Sequence, residues 1–428
     1  MKECNKMAKI IVNGGKELSG TIKISGSKNA ALPIMTASLL TDGDLELSNV
    51  PHLSDVTIMR ELLQSLGTKI SLNKNPSSLR LSTKSINNYT ADYEIVRKMR
   101  ASIIVLGPIL ARNKIARVAL PGGCSIGSRP IDLHLKGMQA MGAKIYMEGG
   151  YVFGEAANGL HGAEIKFPIV SVGATQNIVL AATLADGTTT ISNAAREPEI
   201  VDLCRCLQKM GANIRGAGTG IITIKGVSKL NGSCHSVMAD RIELGTFILA
   251  PALTGGEIFL KGENLKGVSY FQDRIIDMGL NVSENKYGIR VQKGDKKLKN
   301  IDISTEPFPG FPTDLQPQLM VALGLADGKS TIIEGIFENR FMHAPELNRM
   351  GANIQINGKK AIITGVPEYR GVPVLASDLR AAASLVLAGL AAKGKTIIEG
   401  VHHLDRGYEQ MEEKLALCGA DIYRSSDD

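Results

Sequence analysis

The stretch DLQPQLMVALGLADGKSTIIE, residues 314–334, and the stretch DLRAAASLVLAGLAAKGKTIIE, residues 378–399, are two versions of one pattern. Each opens on Asp-Leu, continues through an apolar segment, turns at a Gly and ends in Ile-Ile-Glu. Working outward, four more copies appear. The six opening segments are Ser27 to Leu40, Ala101 to Leu110, Val172 to Leu184, Asp240 to Leu253, Asp314 to Leu325 and Asp378 to Leu390. Each is long and apolar enough for a buried helix, and a fixed repeat of this kind marks one supersecondary unit copied along the chain.

The turns fall at Gly43, Asn113, Gly187, Gly256, Gly328 and Gly394, spaced 70, 74, 69, 72 and 66 residues apart. A short alternating run follows each, such as Thr190-Ile191-Ser192, and reads as a strand. A second amphipathic helix then ends at Gly67, Gly142, Gly211, Gly279, Gly351 or Gly419, residues suited to a left-handed C-cap. Two more strands close the unit, which reads β-α-β-α-β-β. Only nine residues follow Gly419, whereas residues 1–26 hold two strand-like runs and no helix. The N-terminus is therefore expected to complete the sixth unit. Six units divide into two α/β domains of three, about 27–239 and 1–26 plus 240–428, with a cleft between them as the natural ligand site.

Composition narrows the function. Lys and Arg number 49 against 42 Asp and Glu, a net charge of +7 spread along the chain, so small anions are better candidates than bulk nucleic acid. Aromatics are 4% and Trp is absent, which removes base-stacking platforms. The four Lys within Lys293 to Lys299 read as a solvated hairpin. No apolar run is long enough to span a bilayer, and Met1 to Ile10 has no leader pattern. Six Cys form no CxxC pair and seven His no HExxH, so neither a metal site nor a disulfide framework is expected. The expectation is a soluble, cytoplasmic protein with reduced thiols, compatible with a monomer.

One unit breaks the pattern. From turn to closing Gly the others need 23 to 25 residues, but the second needs 29, and the surplus lies in LPGGCSIGSRP, residues 120–130. Its glycines let backbone N–H groups approach an anion, and Cys124 stands near Arg129. It reads either as a reactive lid or as a long surface loop with an incidental thiol. Lys28 opens the first helix, where a cation opposes the dipole unless an anion is to be bound. Asp240, Asp314 and Asp378 open others and suit caps. Arg340 and Arg406 follow the strands of the fifth and sixth units, in equivalent loops, and Arg100 precedes the second apolar helix. Together these cations describe a pocket for a ligand with several negative charges.

The motifs GSKNA (26–30), PGGCSIGSRPIDLH (121–134), FPTDLQ (311–316), ENRF (338–341), SDLR (377–380) and DRGYE (405–409) resemble those of the enolpyruvyl transferases, in particular the members acting on UDP-N-acetylglucosamine, over nearly the whole length. The resemblance implies two inside-out α/β domains of three units each. It also implies transfer of the enolpyruvyl group of phosphoenolpyruvate to the sugar 3-hydroxyl by addition and elimination, without cofactor or metal. On the same ground Cys124 would be the general acid, Asp314 would take the hydroxyl proton, and Asp378 would aid proton movement. Lys28, Asn29, Arg129 and Arg406 would hold phosphoenolpyruvate. Asn29, Arg100, Arg129, Pro130, Ile131, Asp132, Leu133, Ile169, Val170, Ser171, Val172, Asp314, Ile336 and Arg340 would contact the sugar nucleotide. Relatives often carry Lys where this chain has Ile169, which removes one cation from the expected diphosphate site. The rival readings are the shikimate 3-phosphate branch, whose members lack the Cys loop, and a non-catalytic binder of sugar nucleotides.

Overall fold

A computed structural model describes residues 8–72, 76–122, 126–127, 130–262, 264–294 and 296–425 of the 428. The six opening segments are helical: α1 (Lys28–Thr36), α2 (Leu106–Asn113), α3 (Val172–Ala182), α4 (Arg241–Thr254), α5 (Gln316–Gly324) and α6 (Leu379–Ala391). Two start later than expected. Residues Arg100–Val105 and Thr313–Leu315 are 3-10 turns that precede α2 and α5. The reason is Pro108 and Pro317, each in the first turn of its α-helix, the place where a missing N–H costs nothing. The second turn also falls one residue on, at Lys114, which takes φ 64°. All six closing glycines adopt φ between 92° and 108°, a left-handed C-cap that a side chain would strain.

Six four-stranded sheets repeat one order. In the third, Glu164–Lys166 runs parallel to Thr188–Ser192, which pairs antiparallel with Ile221–Lys225, which pairs antiparallel with Asn213–Arg215 at the far edge. Lys9–Asn13 lies antiparallel between Lys395–Glu399 and Asp421–Ser425, so the N-terminal strand completes the sixth sheet. The second N-terminal strand does not join it. Leu18–Lys23 runs parallel to Gly256–Lys261 in the fourth sheet, while Ser233–Ser236 takes the corresponding place beside Asp44–Ser48 in the first. Where the chain leaves one unit for the other, the strand before the opening helix stays behind and fills the sheet its own unit would otherwise lack.

By contacts the chain divides into residues 8–25 plus 240–425, with which Ile126 and Gly127 are grouped, and residues 26–122 plus 130–239. In the first unit α4, α5 and α6 pack on one another and are buried almost throughout. Apolar on every side, they form the centre, and strands with one buried face cover them. The second unit repeats the plan, with α2 packed on α3 and on the 3-10 turn that extends α1. Each unit is thus an inside-out α/β body. Close approach of central helices demands glycine: a Cβ at Gly107 would lie 2.4 Å from Asn177 Oδ1, and one at Gly245 2.5 Å from Leu315.

Candidate active site

In the unit of residues 26–239, Ser27 caps α1 by accepting the Ala30 N–H at 3.4 Å, which leaves Lys28 on the first turn. Its Nζ lies 3.4 Å from Asp55 Oδ2, a buried carboxylate at the start of the Ser54–Ser65 helix. The cation that opposes the α1 dipole is therefore held by an acid from a neighbouring helix. Gln176 of α3 donates to the Asn29 carbonyl at 3.4 Å and ties the two helix starts together. Arg100 begins the turn into α2. Pro130 is exposed, Ile131 and Asp132 are half-buried and Leu133 is buried at the start of the Asp132–Ala140 helix. Ile169 is 65% exposed, and Ser171 caps α3 through the Ala174 N–H at 3.3 Å. Cys124 and Arg129 lie outside the described residues.

The unit of residues 240–425 gathers charge. Asp240 and Asp378 are caps as expected, accepting the first N–H groups of α4 and α6. Asp314 is not a cap. Its carboxylate is gripped on both oxygens, by Arg340 Nη2 at 2.8 Å and Arg380 Nη2 at 3.0 Å, and Arg340 Nη1 lies 3.8 Å from Asp378. Both guanidinium groups are almost wholly buried while 28% of the Asp314 side chain remains accessible. A carboxylate backed by two buried cations and open on its remaining side suits a group that accepts a proton or hydrogen bond from a hydroxyl. Burial opposes the charge on Arg380, but Asp314, Tyr408 and Asp240 outweigh it and hold the guanidinium protonated.

Neighbouring residues fix this platform. Glu334 is buried and accepts from Thr305, from Thr313 beside Asp314, and from the Ile336 and Phe337 N–H groups, so one carboxylate sets both the Asp314 turn and the Ile336 loop. Gln318 donates to Thr246 and Tyr408, which bond each other at 2.8 Å, and the Tyr408 ring lies under Arg380. Burial pushes the His343 imidazole, near Arg340 and Asp378, down to about 4. Arg406 ends the Val401–Arg406 turn. Sequence reasoning missed Glu334, Gln318, Asn177, His134 and His343. The available signal was a polar residue inside an otherwise apolar helix, as with Asn177 in VGATQNIVLAA. Among the described residues no cluster of three or more His, Cys, Asp or Glu could hold a metal ion.

Residues 12–415 match the family model described as EPSP synthase (3-phosphoshikimate 1-carboxyvinyltransferase). The chain belongs to this enolpyruvyl transferase family. Within the family it is 57% identical, over 98% of its length and 99% of the relative's, to a UDP-N-acetylglucosamine 1-carboxyvinyltransferase of Dinoroseobacter shibae. It is 54% identical, over 98% of both chains, to the protein of the same name from Paracoccus denitrificans. Among solved structures, the enolpyruvyl transferase NikO of Streptomyces tendae superposes with a TM-score of 0.87 at 24% identity, covering 99% of this chain and all of that one. EPSP synthase of Acinetobacter baumannii superposes at 0.76 with 19% identity, covering 98% of this chain and all of that one. These likenesses carry the fold, two inside-out α/β bodies.

Proposed function

We infer that this enolpyruvyl transferase transfers the enolpyruvyl group of phosphoenolpyruvate to the 3-hydroxyl of UDP-N-acetylglucosamine, releasing phosphate and opening peptidoglycan precursor synthesis. The observation that carries this is identity of 57% along essentially the whole of a relative bearing that name, against 19% for the shikimate 3-phosphate branch. The protein acts on small molecules, and its place is the cytoplasm; among the described residues no helix is long and apolar enough to cross a membrane.

The reaction divides among the residues as follows. Cys124 gives a proton to the methylene carbon of phosphoenolpyruvate. An unperturbed thiol titrates near about 8.5 and is largely protonated at neutral pH, which suits a donor, and a nearby cation lowers that value. The sugar 3-hydroxyl attacks the adjacent carbon as Asp314 takes its proton, on the platform of Arg340 and Arg380. Loss of a methyl proton and departure of phosphate regenerate the double bond in the product. Lys28, Arg129 and Arg406, with Asn29, hold the phosphate and carboxylate, fixing orientation and stabilising charge in the addition step. Arg100, residues 130–133, residues 169–172, Ile336 and Arg340 receive the sugar nucleotide. Asp378 assists proton movement through its link to Arg340.

The test is phosphate release with either acceptor. Release that depends on UDP-N-acetylglucosamine and is absent with shikimate 3-phosphate is expected. Equal release with both, or none with either, refutes the assignment.

A further inference from the structure

The turn that carries Arg406 is anchored by a charge cluster to which the roles above give no part. Ser25 is the last residue of its unit before the chain leaves it, and every polar atom of Ser25 is bonded within that unit. Its N–H donates to Glu243 Oε2 at 2.8 Å and its carbonyl accepts the Asp240 N–H at 2.8 Å. Its hydroxyl donates to the Glu409 carboxylate and accepts from Lys414 Nζ at 2.7 Å. Lys414 Nζ also pairs with Glu243 Oε1 and lies 5.9 Å from the centre of the Phe247 ring. Glu243 is buried, where a carboxylate needs such a partner. One ammonium and one hydroxyl thus join α4, the N-terminal segment and the residues that follow Arg406.

These bonds end on a strained stretch of backbone. Gln410, between Glu409 and the Met411–Ala416 helix, takes φ 49° and ψ 47°, a left-handed conformation without the freedom of glycine. Such a conformation persists only where its surroundings fix it, and it is commonest beside functional groups. Here the surroundings are Glu409 on one side and Lys414 on the other, and both converge on the Ser25 hydroxyl. Tyr408 docks the same stretch on α4 through Thr246 at 2.8 Å, one turn along from Glu243. On the other side of Arg406, Asp405 is held by both terminal nitrogens of Arg424, at 2.9 and 2.6 Å. Arg406 therefore stands between two anchored acids, Asp405 and Glu409, on backbone whose course is set at both ends. A brace that served stability alone would have no need to hold a strained residue four positions from Arg406.

We propose that Ser25, Glu243 and Lys414 are positioning residues for phosphoenolpyruvate: through Glu409 they hold residues 405–409 in the one course that presents the Arg406 guanidinium to that anion. This rests on the functional reading above, in which Arg406 holds phosphoenolpyruvate.

The experiment uses the full chain and follows phosphate release across phosphoenolpyruvate concentrations, with calorimetry for UDP-N-acetylglucosamine. Ser25→Ala removes the hydroxyl and leaves the two backbone bonds in place. It is expected to raise the KM for phosphoenolpyruvate about tenfold, the loss of one hydrogen bond to a charged group, with the affinity for the sugar nucleotide unchanged. Ser25→Thr keeps the hydroxyl and restores the KM. Spectra of protein labelled with nitrogen-15 arginine read the same anchoring without substrate: the Arg406 Nε–H signal, assigned by its absence from Arg406→Lys, should move in Ser25→Ala and return in Ser25→Thr. An unaltered KM in Ser25→Ala overturns the proposal, as does an Arg406 signal that stays in place. Equal losses for both substrates mark a general loosening and overturn it too. If the unmodified protein releases no phosphate with both substrates present, the functional reading falls, and the proposal with it.

Discussion

The two units share one plan of three buried helices under three sheets, yet the helix starts carry opposite chemistry. In the unit of residues 240–425 they hold carboxylates and guanidinium groups, Asp314 and Asp378 against Arg340 and Arg380. In the unit of residues 26–239 His134, Asn177 and the Gly107 N–H are bonded in series as an uncharged set, while Lys28 at the start of α1 is paired with the buried Asp55. The difference teaches that one scaffold can bury either kind of polar set: Asp314 is fixed by two buried guanidinium groups, whereas His134 and Asn177 are fixed by neutral hydrogen bonds.

Four predictions break or sharpen this contrast. The largest effect is expected at a residue outside the described ones: Cys124→Ala should abolish turnover and protect the protein from thiol-directed epoxides, and unchanged kinetics would mean the thiol is incidental. Next, Asp314→Asn should lower kcat by about 10²–10⁴-fold, the usual worth of a positioned proton acceptor, with nucleotide affinity largely kept. An equal fall in affinity would show the acid to be a binding group. Third, Arg340→Met strips one cation from a buried set and should cost about 3–5 kcal/mol in denaturant unfolding, against about 1–3 kcal/mol for Asn177→Ala in the uncharged set. Similar losses would erase the distinction.

The fourth concerns pH. His134 titrates near 4 in the folded protein against 6.5 for the free side chain, so the unfolded chain binds the extra proton between those values. Stability is then fully present above 6.5 and is lost as pH falls toward 4, by roughly 3 kcal/mol for this ring. Glu243 runs the other way. Burial, partly offset by Lys414 at 2.5 Å, raises it to about 7, so its contribution is lost as pH rises from the ordinary carboxylate range through 7. Denaturant midpoints between pH 4 and 8 should show His134→Gln flattening the acid limb and Glu243→Gln the neutral one; variants that leave the slopes intact would count against both.

Much of this was written locally in the chain. Closing glycines, the Asp240 and Asp378 caps and alternating strands are short-range signals, and they delivered the repeat and its six helices. The exchange of Leu18–Lys23 and Ser233–Ser236 between sheets was not, because strand partners far apart in sequence leave no mark on local alternation. Asp314 looked like a cap beside Asp240 and Asp378; Arg340 and Arg380, closing on it from two other elements, reveal it as the member of a charged set. Glu334 looked like the end of a strand and proved to be an internal brace. His134 stood inside a recognised motif, but its meaning depends on Asn177, 43 residues away.

The most direct measurement follows both products together by proton and phosphorus NMR in a mixture of protein, phosphoenolpyruvate and UDP-N-acetylglucosamine. The account predicts new vinyl-ether protons on the sugar nucleotide appearing in step with inorganic phosphate, one for one. Phosphate appearing without the vinyl ether, or a vinyl ether formed as readily on shikimate 3-phosphate, would contradict it.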